Sequence, residues 1–138
     1  MGLGAATPAL PVQSIGAAVQ HYTTKLGFAC RHQESGFAIV HRDDTELHLW
    51  EASDDGWRLR PDQQLRTSPV STGAESFIAG TASCRISVTD IAALYAELAP
   101  QGVLHPVDEG SPSHTDWGTR EFAVLDLEGN LLTFFQRL

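Results

Sequence analysis

The chain has 138 residues, 42% of them hydrophobic and 19% charged, which suits one globular domain with a buried core and excludes a fibre or a disulfide framework. Its formal net charge of −8 and pI near 5.0 argue against nucleic acid or an anionic membrane surface as partner, because phosphate binding needs clustered Lys and Arg. A cationic ligand suits such a surface.

The opening "MGLGAATPAL" has no basic n-region, and no stretch approaches the ~18 apolar residues of a membrane span. Residues 8–13 read as a first strand, with Pro11 marking an edge or hinge position. Ser14 is placed to N-cap a helix whose Ile15, Ala18, Val19, Tyr22 and Leu26 recur at helical spacing, and Gly27 stops it. Strands are predicted near 28–33, 36–41 and 45–50, separated by the turn signals "ESG" and "RDD". Residues 51–80 are rich in Ser, Gly, Pro and Asp; a bare linker of that length is unusual, so the segment reads as a partly ordered excursion serving as dimer contact, lid or loop. A strand near 82–88 follows, then a helix capped by Thr89 and carrying Ile91, Leu94, Tyr95 and Leu98, with Gly102 at its end. The last strands are predicted near 104–108, 119–126 and 131–136, with "DLEGN" as the final turn.

This order is a duplication. "FAIVHRDDTELHLWE" from Phe37 matches "FAVLDLEGNLLTFFQ" from Phe122, an offset of 85 (122 − 37), and Val12 answers Val88 at an offset of 76 (88 − 12). The second copy therefore carries nine extra residues (85 − 76) between its helix and its matched strand pair. They overlap the segment leading to "HTDWGTREF", which holds Trp117 in surroundings too polar for core. The fold class is α+β: two tandem βαβββ modules, 8–50 and 82–138, joined by the excursion 51–81 within one domain of 1–138, and forming a curved, mostly antiparallel sheet.

No general catalytic constellation emerges. Cys30 and Cys84 lie in no CxxC and read as two buried thiols, which suits a reducing cytoplasm. His21, His32, His41, His105 and His114 show no HxH or HExxH spacing and read as surface or hydrogen-bonded structural residues. Glu46, Glu51 and Glu121 read as solvated carboxylates, Asp43 and Asp44 as turn residues, and Asp54 and Asp55 as part of a solvated loop.

The "Y..KLGF" of Tyr22, Lys25, Leu26, Gly27 and Phe28, and the "D..GN" of Asp126, Gly129 and Asn130 before a final apolar strand, resemble the vicinal oxygen chelate superfamily of glyoxalase I, extradiol dioxygenases and the fosfomycin and bleomycin resistance proteins. The resemblance implies the paired-module fold, and leaves the chemistry to be argued from the site. Its enzymes hold a divalent metal on the first and fourth strands of each module. The matching positions here are Thr7, His48, Ser83 and Thr133, of which only His48 is a good ligand. Neither a metal nor another cofactor is therefore expected.

"DWGTREFAVLDLEGN" and "GFAIVHRDD" are similar to the bleomycin resistance branch, whose members bind their antibiotic without transforming it. The resemblance implies a homodimer with drug grooves at the subunit interface, acting by sequestering a bleomycin-type glycopeptide or a related flat cationic natural product; the cysteines and the acidic charge add the expectation of a cytoplasmic protein with no nucleic acid or membrane as partner. By matched position, Trp117 and Phe37 are its stacking residues. Such rings supply dispersion and cation–π attraction, and Gly36 and Gly118 beside them allow close approach. Trp50 reads equally as a third groove ring or as sheet core. Ser111, Ser113, His114, Thr115 and Asp116 are candidate polar contacts of the inserted loop. The alternative is a metal-dependent lyase, isomerase or dioxygenase of the same fold. Whether the first strand is exchanged between subunits is left open, although Pro8 and Pro11 stiffen such an arm.

Overall fold

A computed structural model describes residues 1–52, 61 and 78–138. The expectations for the excursion, including Asp54 and Asp55, lie almost wholly outside the described residues.

The first module runs β1 (Ala9–Val12), α1 (Ile15–Lys25), β2 (Ala29–Glu34), β3 (Phe37–Arg42) and β4 (Thr45–Glu51). Ser14 Oγ accepts from the Ala17 amide and caps α1, and Gly27 at φ 75° ends it, both where the sequence places them. The strands order β1-β4-β3-β2, with β1 parallel to β4 and the others antiparallel. The second module repeats this as β5 (Ser83–Ser87), α2 (Ile91–Leu98), β6 (Ser113–His114), β7 (Thr119–Leu125) and β8 (Leu131–Arg137), in the order β5-β8-β7-β6. The result is an α+β fold of two four-stranded mixed sheets.

Each sheet buries one face. Alternation puts Ala38, Val40, Leu47 and Leu49 of the first sheet on the side of Val19, Tyr22 and Leu26, and Phe122, Val124, Leu132 and Phe134 of the second on the side of Ile91 and Leu98. All of these residues belong to one core.

Four expectations change. No strand forms at 104–108: Leu104 makes a single bridge to Val124, and after His105, whose amide donates to the Ala123 carbonyl, comes Pro106, which has no amide to donate. The second module's edge strand is instead the two-residue β6. The cap of α2 is Asp90, whose Oδ1 accepts from the Ala93 amide, and not Thr89. Cys30 is exposed on the edge strand β2, whereas Cys84 is half-buried against the core and its thiol is pushed up to about 11 by burial and by Asp126.

The fourth concerns the duplication. The offset of 85 holds for β4 and β8, where Leu49 answers Phe134, both buried. In the preceding hairpin strands, however, Ala38 pairs with Leu49 and Phe122 pairs with Phe134, so Phe122 answers Ala38. The structural counterpart of Phe37 is Glu121. The longer turn of the second hairpin absorbs the one-residue difference, which moves a side chain to the opposite face.

Candidate functional site

The faces turned away from the core are only half-buried, and each carries a cluster of rings and charges. On the first sheet Phe37 lies directly opposite Trp50, and their rings are 4.5 Å apart at 52°. The His48 ring stands edge-on to Phe37 at 5.2 Å, with His32 at 6.0 Å on β2. Strand alternation produces this cluster, because Phe37, His48 and Trp50 each sit next to a buried residue, Ala38, Leu47 or Leu49, and so face the other side of the sheet. Two carboxylates border it: Glu46 meets Arg31 and the His48 imidazole, and Glu34 lies 3.2 Å from the His32 Nε2. Trp50 is half-buried on the face turned away from the core and does not belong to the buried core.

On the second sheet, Trp117 sits at the tip of the β6–β7 hairpin. The Thr115 amide donates to the Thr119 carbonyl at 2.9 Å, and Gly118 at φ 84° supplies the left-handed residue that closes the turn. The ring is 69% exposed, yet its Nε1–H donates to Glu121 Oε2 at 3.2 Å. Glu121 also accepts both guanidinium nitrogens of Arg85, at 3.1 and 2.5 Å, and the Thr119 hydroxyl at 2.7 Å. The Arg85 bond, helped by Thr119 and Trp117 against the cost of burial, holds the Glu121 carboxyl down to about 2. Arg85 in turn lies 4.7 Å from the Phe135 ring centre. Trp117, Arg85, Phe135 and Arg137 line a groove of about 560 Å3.

Thus the structure joins Phe37 to Trp50 and sets Trp117 on the other sheet. Ser113 and His114 form β6 with both side chains exposed, and Asp116 and Gly118 flank Trp117 in the turn. Ser111 and Thr115 lie before and within it. Sequence reasoning missed Arg85 and Phe135, and took Glu121 as solvated, whereas its side chain is 12% exposed and ion-paired. The available signal was alternation: Arg85 stands between Cys84 and Ile86, both of which pack against the core.

A second cleft of about 440 Å3 runs between the modules, floored by Phe28, Ile86 and Phe134 and bridged by the bidentate Arg42–Glu97 pair. It contains none of the candidate residues, and its better enclosure does not outweigh the clustered rings of the open faces.

The superfamily's metal positions do not fit a metal. His48 is engaged by Glu46, and β5 sets Arg85, a permanent cation, in register with Thr133. Among the described residues no three His, Cys, Asp or Glu side chains converge.

The family model of the Glyoxalase/Bleomycin resistance protein/Dioxygenase superfamily matches residues 4–134. The chain belongs to this superfamily. Within it, the chain is 50% identical over 131 residues to the Bleomycin resistance proteins of Geobacillus stearothermophilus and Staphylococcus aureus, covering 95% of each. The crystal structure of the bleomycin-binding protein from bleomycin-producing Streptomyces verticillus, complexed with copper(II)-bleomycin, is 27% identical with a TM-score of 0.68, over 97% of this chain and 96% of that one.

Proposed function

We propose that this member of the superfamily binds a bleomycin-type glycopeptide, or a related flat cationic natural product, without transforming it, and confers resistance by sequestration. The observation that carries the reading is the pair of open aromatic faces, Phe37 with Trp50 on one sheet and Trp117 on the other. Ring systems with a positive tail gain dispersion, stacking and cation–π attraction from such faces, and a net charge of −8 raises the local concentration of a cation. The half-identical relatives named Bleomycin resistance protein support the ligand class. Phe37, Trp50 and Trp117 are the stacking residues of this reading, with Ser113, His114, Asp116 and Gly118 as contacts from the hairpin.

The two faces belong to different sheets, so a homodimer that sets the first sheet of one chain against the second sheet of its partner joins them into two grooves. No helix among the described residues is long and apolar enough to cross a membrane, and the free Cys30 and Cys84 suit a cytoplasmic site of action. Nucleic acid and membrane are not partners in this reading.

Calorimetric titration of the metal-free protein with bleomycin, followed by mass spectrometry of the recovered drug, tests it. The expected result is saturable binding near one drug per chain, a sedimentation coefficient of a dimer, and unchanged drug. Trp117→Ala should weaken binding by about 1–3 kcal/mol, the usual loss of an aromatic anchor, with the melting temperature retained. Absence of heat at micromolar drug, or a chemically altered drug, overturns the reading.

A further inference from the structure

Among the described residues, packing leaves Trp117 largely exposed. A side chain 69% exposed keeps several rotamers within reach, and ordering it on binding costs entropy. Among the described residues one polar contact restrains it, the 3.2 Å bond from its Nε1–H to Glu121 Oε2.

Glu121 itself is fixed from three sides. Arg85 grips both carboxylate oxygens in fork geometry from β5, the Thr119 hydroxyl donates from two residues away on β7, and Glu121 pairs in register with Phe135 on β8. With the Thr119 proton given to Glu121, the 2.7 Å contact between the Thr115 and Thr119 oxygens requires Thr115 to be its donor. The hairpin that carries Trp117 is thereby wired to the same carboxylate as its ring. Arg85 is braced by the Phe135 ring beneath it.

We propose that Glu121 is the positioning residue of the drug groove: it orients the Trp117 indole before ligand arrives, and Arg85 and Thr119 in turn orient Glu121. This rests on the proposed function for its ligand, and not for its geometry. Glu121 touches the ring and need not touch drug; its effect is preorganisation, which raises affinity by removing an ordering cost. The arrangement also neutralises Arg85 beside a groove meant for a cation. Loss of Glu121 would remove the carboxylate that pairs with that guanidinium among the described residues.

The test reads the indole directly in ligand-free protein labelled with 15N, the Trp117 Nε1–H signal being assigned from its disappearance in Trp117→Phe. In Glu121→Ala this signal should move upfield and exchange faster with solvent, while the other indole signals stay in place. Bleomycin affinity, measured in parallel, should fall about tenfold, the usual scale of a hydrogen bond to a charged group. Glu121→Gln keeps an acceptor for the indole but loses the ionic fork to Arg85, so it should fall between wild type and Ala in both readouts. Thr119→Val removes only the hydroxyl and serves as a milder disturbance should Glu121→Ala fold poorly. An unchanged Trp117 indole signal in Glu121→Ala and Glu121→Gln overturns the proposal. So does wild-type affinity in a variant whose indole signal has moved. A wild-type protein indifferent to bleomycin would overturn the proposed function, and the indole signal would still decide the role of Glu121.

Discussion

At the scale of single residues, the second sheet's open face is governed by one carboxylate whose ionised form is stabilised by the fold. The ordinary Glu value is 4.5, and Glu121 is held to about 2 by Arg85, Thr119 and Trp117. A depressed folded-state pKa contributes stability that is complete above the unfolded value and is lost as pH falls through the folded one. Unfolding free energy should therefore decline between about pH 4.5 and pH 2, and Glu121→Gln should show a shallower decline over that window. Glu97 is also lowered, by its fork to Arg42, so part of the slope survives in the Glu121 variant. Urea titrations at a series of pH values measure both curves; equal slopes would mean that Glu121 has no such partners in solution. The identity of Glu121 was visible in the sequence, but its role was not, because its partners Arg85 and Trp117 come from different strands and turns and meet only through sheet register.

At the scale of elements, α2 is short, eight residues, with no acidic residue in its first turn and no basic residue in its last. Its start therefore depends on two side chains: Asp90 Oδ1 accepts from the Ala93 amide at 3.0 Å, and Gln136 Oε1, from β8, accepts from the Ile91 amide at 2.9 Å. Asp90→Ala should cost about 1 kcal/mol, whereas Thr89→Ala, one position earlier, should cost little; chemical denaturation of the two variants separates them. The helices, the βαβββ order and the core faces were legible because periods of 3.6 and 2 are written directly in apolar residues such as Ile15, Val19 and Tyr22 or Leu47 and Leu49. The β6 strand was not legible, since Ser113 and His114 carry no apolar alternation and owe their extended form to pairing with Arg120 and Glu121. The one-residue difference between the hairpins was hidden for a related reason: Phe37 and Phe122 are the same residue type on opposite faces.

At the scale of the whole molecule, the modules are joined by a buried polar junction. Tyr22 on α1 donates to Asp126 Oδ2 at 2.9 Å, and Asn130 Nδ2 donates to the Pro11 carbonyl at the same distance. Asp126 also accepts from Asn130 Nδ2 and from the backbone amides of Glu128 and Asn130. The Asn130 Oδ1 accepts from the Ala82 amide, so the second module's final turn ties α1 and β1 of the first module to the start of its own β5. Burial and the Asp126 charge push the Tyr22 phenol well above its ordinary range, which keeps it a donor. Because the "D..GN" turn is bonded across the junction and the modules share one core, neither module's stability is its own. Asp126→Ala should strand several buried donors at once and cost about 3 kcal/mol or more, whereas Glu97→Ala, which breaks a half-exposed pair between the same modules, should cost at most about 1 kcal/mol. Tyr22→Phe, which leaves Asp126 its other three donors, should fall between them. Denaturation followed by circular dichroism and by tryptophan fluorescence should give one coincident transition in every variant; two separated transitions in Asp126→Ala would show that each module folds alone and that the junction joins finished units.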